Sequence, residues 1–93
     1  MNYRIFETDG FSDDLEKDFG GRRQKMKAKL RNYVYPQLRI QPHLGNNIRK
    51  LKEYSPETWR YRIDQYRFFY QIDEEEKIIF MIAAEHRKQA YRK

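Results

Sequence analysis

Alternation of apolar and polar residues in the second half of the chain constrains the fold more than any other feature of this sequence. Residues 59–63 alternate between two faces, as a strand with one buried face does. Residues 66–72 and 77–85 form two further runs of strand length, and Asp64-Gln65 is a plausible two-residue turn between the first two runs. The last run is apolar on both faces, so we expect a central strand that is covered on both sides.

The first half of the chain predicts a strand followed by helices. Residues 3–7 alternate in the same way and indicate a short first strand. A turn at Asp9-Gly10 follows. Ser12 is a suitable N-cap for a first helix over about residues 12–19.

A second helix begins near Arg22, where six residues in ten are basic. Met26, Leu30 and Leu38 recur along it at helical spacing. Pro36 lies inside this pattern and removes a backbone donor, so we expect the helix to kink or to end there. A strand, two helices and a three-strand antiparallel meander together predict an α+β fold, with the helices on one side of a mostly antiparallel sheet.

The composition sets the size and character of the core. Ninety-three residues are enough for one domain, which we expect to span 1–93. Leu, Ile, Val and Phe total 20 residues, close to the roughly one-fifth at which a charged chain stays disordered. Eight Tyr, one Trp and three Met supply further apolar surface. We therefore expect a small aromatic core.

Several classes of protein are excluded by what the sequence lacks. There is no cysteine, hence no disulfide and no thiolate site. No apolar run approaches the ~20 residues that span a bilayer, and the first residues do not resemble a signal peptide. We expect a soluble cytoplasmic protein that has no membrane partner and needs no cofactor or metal.

Charge is unevenly distributed along the chain. Residues 1–20 hold six acidic and two basic side chains, whereas residues 21–93 hold eighteen basic and eight acidic ones. A basic body with interleaved aromatics points to a polyanionic partner, nucleic acid before membrane, although a merely soluble basic surface is the alternative. The basic helix, with Arg22, Arg23 and Lys27, is either a solvated face or a contact for RNA.

The hairpin brings arginines together. If residues 64 and 65 form the turn, Arg62 lies directly opposite Arg67, with Arg60 two residues along. Opposed like charges destabilise a sheet by a few tenths to ~1 kcal/mol, and the nearest acidic cluster we identify, residues 74–76, lies at the other end of the strand. An anion site explains the pair best, because guanidinium groups bind phosphate oxygens two at a time. Phe69 on the same face either stacks a base or packs against a helix.

Two residues near the C-terminus are candidates for proton transfer. Strict alternation places His86 on the same face as Arg62 and Arg67, although a histidine there is more often structural. Tyr91 serves either packing or chemistry. The sequence has no metal-ligand cluster, so any chemistry is metal-free, which suits RNA because RNA brings its own 2′-hydroxyl nucleophile.

Three segments together resemble a known family. They are residues 47–52 (NIRKLK), 59–70 (WRYRIDQYRFFY) and 86–92 (HRKQAYR). They are similar to the RelE/ParE superfamily of toxin–antitoxin toxins, and to its RelE side in particular. The resemblance implies a ribosome-dependent endoribonuclease that cuts mRNA in the decoding site and is held inactive by a cognate antitoxin.

The resemblance also implies roles for individual residues. The family's basic pair corresponds to Arg60 and Arg62, and its two later arginines correspond to Arg67 and Arg87. These cations would stabilise the transition state while a 2′-hydroxyl attacks the neighbouring phosphate. Either His86 or Tyr91 would transfer the proton. Ribosomal RNA would be held by Lys50, Lys52 and the basic helix.

Two rival functions remain open at this level. A ParE-like inhibitor of DNA gyrase has the same fold and binds a protein instead of cutting RNA. A non-catalytic RNA-binding module would use the same arginines for affinity alone. The arginine pair and the segment from His86 to Tyr91 favour the RelE-like function.

Overall fold

A computed structural model describes residues 2–17 and 21–86 of the chain. The first helix and the second helical segment pack on one face of a single five-stranded sheet, which has the strand order β1-β5-β4-β3-β2. Strand β1 runs parallel to β5, and the other neighbours are antiparallel. The elements are β1 Arg4–Glu7, α1 Asp9–Glu16, α2 Arg23–Lys29, a π-helical turn Leu30–Val34, α3 Tyr35–Ile40, β2 Ile48–Lys50, β3 Trp59–Ile63, β4 Tyr66–Asp73 and β5 Ile78–His86. The predicted α+β fold is therefore confirmed.

An aromatic core fills the space between the helices and the sheet. Phe11 from α1 meets Phe68 from β4, with ring centroids 6.2 Å apart, and both side chains are fully buried. Tyr61 and Tyr70 are buried beside them and donate hydrogen bonds to Gln37 Oε1 and to a backbone carbonyl. Buried tyrosines need such partners, since an unpaired hydroxyl is costly to desolvate. The expected small aromatic core is confirmed.

Helix α1 begins earlier than the sequence pattern predicts. Thr8, not Ser12, is the N-cap, and its side-chain oxygen accepts a hydrogen bond from the backbone N–H of Phe11. Asp9 and Gly10 form the first turn of the helix, so the turn that we expected there is wrong. Helix α1 ends at Glu16, and the predicted end at residue 19 falls outside the described residues.

The second helical segment continues past Pro36 by changing its hydrogen-bond pattern. Between α2 and α3 the five residues Leu30–Val34 form a π-helical turn, and the N–H of Tyr35 donates to the carbonyl of Leu30. Pro36 lies in the first turn of α3, where a missing backbone donor costs least. A π-turn is one of the recognised causes of a local helix distortion. The helix continues past the proline as far as Ile40, so the expected early end at Pro36 is wrong, and the irregularity that the structure has is the π-helical turn before it.

The hairpin between β3 and β4 has the predicted register. Arg62 pairs with Arg67 and Tyr61 with Phe68 across the turn. Asp64 adopts a positive φ of 54°, a conformation that aspartate tolerates better than most residues. Strand β2 was not predicted, because three residues are too few to show a period.

Strand β5 is interior, but only one of its faces is fully covered. It lies between β1 and β4, while β4 is the middle strand of the sheet. Ile79 and Met81 are fully buried against the helices, whereas Ile78 and Phe80 on the outer face are half-buried in the part of the chain that the structure describes. The prediction of cover on both sides is therefore wrong for those residues.

A β-bulge interrupts the pairing of β4 with β5. Phe69 pairs with Ala83 but Tyr70 pairs with Met81, so Ile82 is an extra residue in β5. Beyond a bulge, the side chains of the bulged strand change face relative to strict alternation. This local irregularity determines which C-terminal side chains reach each face.

None of the helices among residues 2–17 and 21–86 is long and apolar enough to cross a membrane.

Candidate nucleic-acid interface

Four arginines share the face of the sheet that is turned away from the helices. Arg49 pairs with Arg60 across β2 and β3, and Arg62 pairs with Arg67 across β3 and β4. We call this surface, formed by the four arginines and Phe69, the arginine face. Three adjacent strands contribute to it, so the cations are held by backbone pairing and not by flexible loops. Such a surface suits a phosphodiester backbone.

Glu85 partly compensates the arginine face. It pairs with Arg67 across β4 and β5, and one carboxylate oxygen lies 3.6 Å from Nη2 of Arg67. Only 18% of the Arg67 side chain is exposed, against 47% for Glu85. The sequence analysis considered only the acidic cluster at residues 74–76 and missed this single carboxylate beside Arg67. Arg62 is the better contact for an anion, because its side chain is exposed and no carboxylate of the described residues lies within 4 Å of it.

Phe69 lies on the arginine face, opposite Arg60 and beside Ala83. The helices cover the other face, so the alternative that Phe69 packs against a helix is wrong. Its ring is half-buried in a shallow depression that Tyr54 and Pro56 also line. Its flat surface suits contact with a base, as in proteins that stack single-stranded nucleic acid on aromatics.

His86 does not lie on the arginine face. The bulge at Ile82 turns it to the helix side, where it pairs with Tyr66 and is only 3% exposed. Its ring meets the Tyr66 ring edge-on at 5.3 Å, and its Nε2 lies 3.5 Å from Nη1 of Arg22. The prediction that His86 joins Arg62 and Arg67 is therefore wrong, because it assumed unbroken alternation.

Of the two predicted lysines of the β2 region, Lys50 lies on the side of the sheet opposite to the arginine face. Lys50 pairs with Trp59, whose side of the sheet is the helix side, and its ammonium lies 2.6 Å from Glu57. Lys52 is exposed just after β2.

The predicted RNA-binding cations in and next to α2 have two different environments. Arg23 and Lys27 both approach Glu16 of α1, at 2.8 and 3.7 Å. Arg22 precedes α2 and contacts His86 on a different side of the helix. Arg23 and Lys27 are thus ion-paired within the protein, which weakens the prediction that they hold RNA.

Two predicted catalytic residues, Arg87 and Tyr91, lie outside the described residues. Sequence reasoning missed Arg49 and Glu85 as members of the site. A period-two reading of residues 48–50 would have placed Arg49 opposite Arg60, but only once β2 was known to pair with β3. No sequence signal marks the bulge that brings Glu85 to this face.

No group of three or more histidine or acidic side chains among the described residues is arranged to hold a metal ion. The arginine face and the adjoining Glu85 present guanidinium groups, one carboxylate and an aromatic ring.

Comparison with known proteins identifies relatives of the fold. Residues 8–91 match the model of a family described as the ParE toxin of type II toxin–antitoxin systems, parDE. A comparison with curated proteins found no match.

Three solved structures have the same fold. The RelBE2 complex of Mycobacterium tuberculosis has a TM-score of 0.72 at 21% identity, over 94% of this chain and 100% of that one. The RelE–RelB complex of Pyrococcus horikoshii has a TM-score of 0.66 at 18% identity, over 94% and 97% of the two chains. A mutant of the Escherichia coli toxin RelE in the free state has a TM-score of 0.65 at 22% identity, over 98% and 88%. The predicted RelE-like fold is confirmed.

Proposed function

Because this chain belongs to the ParE-toxin family of type II toxin–antitoxin systems, we propose that it is a toxin that cleaves mRNA on the ribosome. The single observation that carries the proposal is the arginine face, in which Arg62 and Arg67 are directly opposed on adjacent strands. Opposed cations destabilise a sheet unless an anion lies between them. A scissile phosphate, which gains charge in the transition state, is an anion of the required kind.

The proposed reaction uses the nucleophile that RNA carries. The 2′-hydroxyl loses its proton and attacks the adjacent phosphorus, the bond to the 5′-oxygen breaks, and that oxygen takes up a proton. The products are a 2′,3′-cyclic phosphate and a 5′-hydroxyl end. Arg62 and Arg67, together with Arg87, stabilise the charge on the phosphorane-like transition state.

Proton transfer is assigned in this proposal to Tyr91 in the C-terminal segment. We prefer Tyr91 to His86 for this role, because His86 lies on the helix side of the sheet and is almost completely buried. Phe69 supports the proposal as a surface for a base beside the scissile phosphate. No metal or cofactor enters the reaction.

The proposed partners are a cognate antitoxin, the ribosome and mRNA, all in the cytoplasm. Two of the three structural relatives described above are toxin–antitoxin complexes, which supports an antitoxin for this chain. Ribosome dependence fits the small size of the site, since a short row of arginines cannot by itself align a long RNA strand.

A second candidate function is inhibition of DNA gyrase. The observation that favours it is the matched family itself, which is described by its ParE toxin. Gyrase inhibition needs a protein-binding surface and no cleavage chemistry, so it predicts no cut RNA.

Primer extension on an mRNA programmed into ribosomes separates the two functions. We expect wild type to cut within the decoding-site codon and Arg67→Ala to reduce cutting by about 10²–10³. The matched control is Arg39→Ala, which removes an exposed arginine of α3 and should leave cutting unchanged. Circular dichroism checks that Arg67→Ala is folded. Absence of cuts, with inhibition of DNA supercoiling by gyrase in a parallel assay, would overturn the nuclease and favour the second candidate.

A further inference from the structure

An open cleft of about 670 Å³ lies on the helix side of the sheet, opposite to the arginine face. Its volume is within the roughly 300–1,000 Å³ of typical small-molecule sites. One wall is helical and the other is the turn between β3 and β4. We call it the basic cleft and define it by six of its lining residues, Arg22, Lys25, Lys29, Tyr33, Gln65 and His86.

Positive charge is concentrated on the helical wall of the basic cleft. Arg22, Lys25 and Lys29 recur there at intervals of three and four residues, which keeps them on one side of a helix. Lys29 is neutralised by Asp64, at 2.6 Å from its Nζ. Among the described residues, no carboxylate lies within 4 Å of Arg22 or Lys25, so neither cation has an acidic partner in that part of the chain.

The cations on the opposite side of α2 are paired with a carboxylate. Arg23 and Lys27 alternate with the cleft residues in sequence, and both are paired with Glu16. Among the described residues, both α2 cations that face α1 are paired with a carboxylate, whereas only Lys29 of the three cations that line the cleft is so paired. If the basic helix were only a solvated surface, we would expect no such difference between its two sides.

Groups that recognise a planar ligand lie next to the two cations. Tyr33 is 60% exposed, and the Nζ of Lys29 lies 5.9 Å from its ring centroid. The side chains of Asn32 and Gln65 line the cleft and can both donate and accept hydrogen bonds. A bound inorganic ion would need only the cations, whereas a nucleotide would use the ring and amides as well.

We propose that the basic cleft binds a nucleotide of RNA, with the phosphate between Arg22 and Lys25 and the base on Tyr33. His86 lies at the base of the cleft, where its Nε2 is 3.5 Å from Nη1 of Arg22. The cleft is a second site, since the sheet separates it from Arg62 and Arg67. The choice of RNA rests on the proposed function, but nucleotide binding itself is measured without ribosomes or cleavage.

The test is an NMR titration of the full chain with uridine 5′-monophosphate, with uridine and with inorganic phosphate. We expect the monophosphate to shift resonances of Lys25, Tyr33 and Gln65 and to bind at least about tenfold more tightly than either fragment. Tyr33→Ala should weaken binding by about fivefold or more, as loss of a stacking ring commonly does. Lys25→Ala should weaken it by about tenfold, and Arg39→Ala should leave it unchanged. Lys25 and Tyr33 are exposed, so both variants should fold.

Three results would overturn the proposal. Equal affinity for the monophosphate and for inorganic phosphate would show that the cleft binds only the phosphate group. Shifts confined to Arg62 and Phe69 would move the nucleotide to the arginine face. Unchanged affinity in both Lys25→Ala and Tyr33→Ala would show that the nucleotide does not bind in the cleft. None of these results depends on whether the protein cleaves mRNA, so failure here is distinguishable from failure of the proposed function.

Discussion

At the scale of single residues, the placement of Glu85 decides how strongly the arginine face attracts an anion. Its carboxylate lies on β5 beside Arg67 of β4, whereas Arg62 lies on β3, on the other side of Arg67. The pair is partly exposed, so its contribution to stability is small. The larger effect of Glu85 is electrostatic, because its negative charge weakens the positive potential of the arginine face.

Glu85→Gln tests this effect. The free energy of unfolding should fall by less than about 1 kcal/mol, because a half-exposed ion pair contributes little and the arginines become slightly less compensated. Affinity for a short single-stranded oligoribonucleotide should rise at low salt. Urea denaturation and fluorescence anisotropy measure the two quantities. A loss of RNA affinity would mean that Glu85 contacts the ligand directly and would contradict this account.

A second cluster of residues makes stability depend on acid pH. Glu74 accepts hydrogen bonds from His43, at 2.5 Å, and from the Tyr3 hydroxyl, at 2.8 Å. The bond from His43, followed by that from Tyr3, lowers the pKa of Glu74 below its ordinary value of 4.5. Burial and the same hydrogen bond raise the pKa of Tyr3.

The sign of the pH effect follows from the lowered pKa. Glu74 is charged in the folded protein at a pH where the unfolded chain is already taking up the proton. Its stabilisation is therefore complete above about pH 4.5 and is lost as the pH falls through the lower folded value. Glu74→Gln should make the loss of unfolding free energy between pH 6 and pH 3 shallower than in wild type. Urea denaturation at each pH measures it, with Glu75→Gln as the control, since Glu75 makes no ion pair among the described residues. Equal slopes in the two variants would contradict the assignment.

Residue pairing across the hairpin was predictable from the sequence, whereas the position of His86 was not. A two-residue turn and strict alternation fix the partner of Arg62 without further information. Alternation then fails at Ile82, because one extra residue in β5 moves every later side chain to the other face. Nothing in the local composition distinguishes a bulge there from a regular strand.

At the scale of elements, the start of α1 shows how tertiary contacts choose among possible caps. Both Thr8 and Ser12 are good N-cap residues. Thr8 is used because its hydroxyl also donates to the carbonyl of Met81 in β5, at 2.8 Å. The cap therefore joins the helix to the sheet, and a local sequence rule cannot detect such a bond.

The two residues give opposite predictions. Thr8→Ala should lower the free energy of unfolding by about 1–2 kcal/mol, because it removes the cap and leaves the carbonyl of Met81 with one bond fewer. Ser12→Ala should be neutral or stabilising by up to about 0.5 kcal/mol, since Ser12 lies inside the helix, where alanine is preferred. Thermal or urea unfolding of the two variants side by side decides the matter. A larger loss of unfolding free energy in Ser12→Ala than in Thr8→Ala would favour Ser12 as the N-cap, as the sequence pattern predicts.

The remaining differences at this scale have the same origin. A strand as short as β2 is defined by its partner β3 and not by its own three residues. The π-helical turn before Pro36 lets the helix continue where a propensity argument allows only a kink or an end. Strong periods, as in β3 and β4, were predicted within one or two residues.

At the scale of the whole molecule, the helices cover one face of the sheet and leave the arginine face open to a partner. The parallel pairing of β1 with β5 joins the two ends of the described chain and cannot be read from a local pattern. The net charge is +6, and the positive charge is unevenly distributed over the folded protein. Glu16 of the acidic first segment neutralises part of the positive charge of α2. Among the described residues, cations without a carboxylate within 4 Å include Arg62 on the arginine face and Arg22 and Lys25 in the basic cleft.

This distribution predicts the salt dependence of RNA binding. Each arginine that contacts a phosphate releases counterions, so the affinity for a single-stranded oligoribonucleotide should fall linearly with salt on logarithmic axes. Arg62→Ala should reduce the slope by about 0.7 to 1, whereas Arg39→Ala should leave it unchanged. Anisotropy titrations at several salt concentrations measure the slopes. Identical slopes for wild type and Arg62→Ala would show that Arg62 contacts no phosphate.

We propose that the arginine face stabilises the transition state of mRNA cleavage, and the single-turnover cleavage rate of an mRNA held in the ribosomal decoding site measures this effect. The rate is compared among wild type, Arg62→Ala and Arg39→Ala. Arg62 is exposed, so its replacement should leave the fold intact. We expect a rate about 10²–10³ lower for Arg62→Ala and the wild-type rate for Arg39→Ala. A wild-type rate for Arg62→Ala would mean that this arginine does not stabilise the transition state.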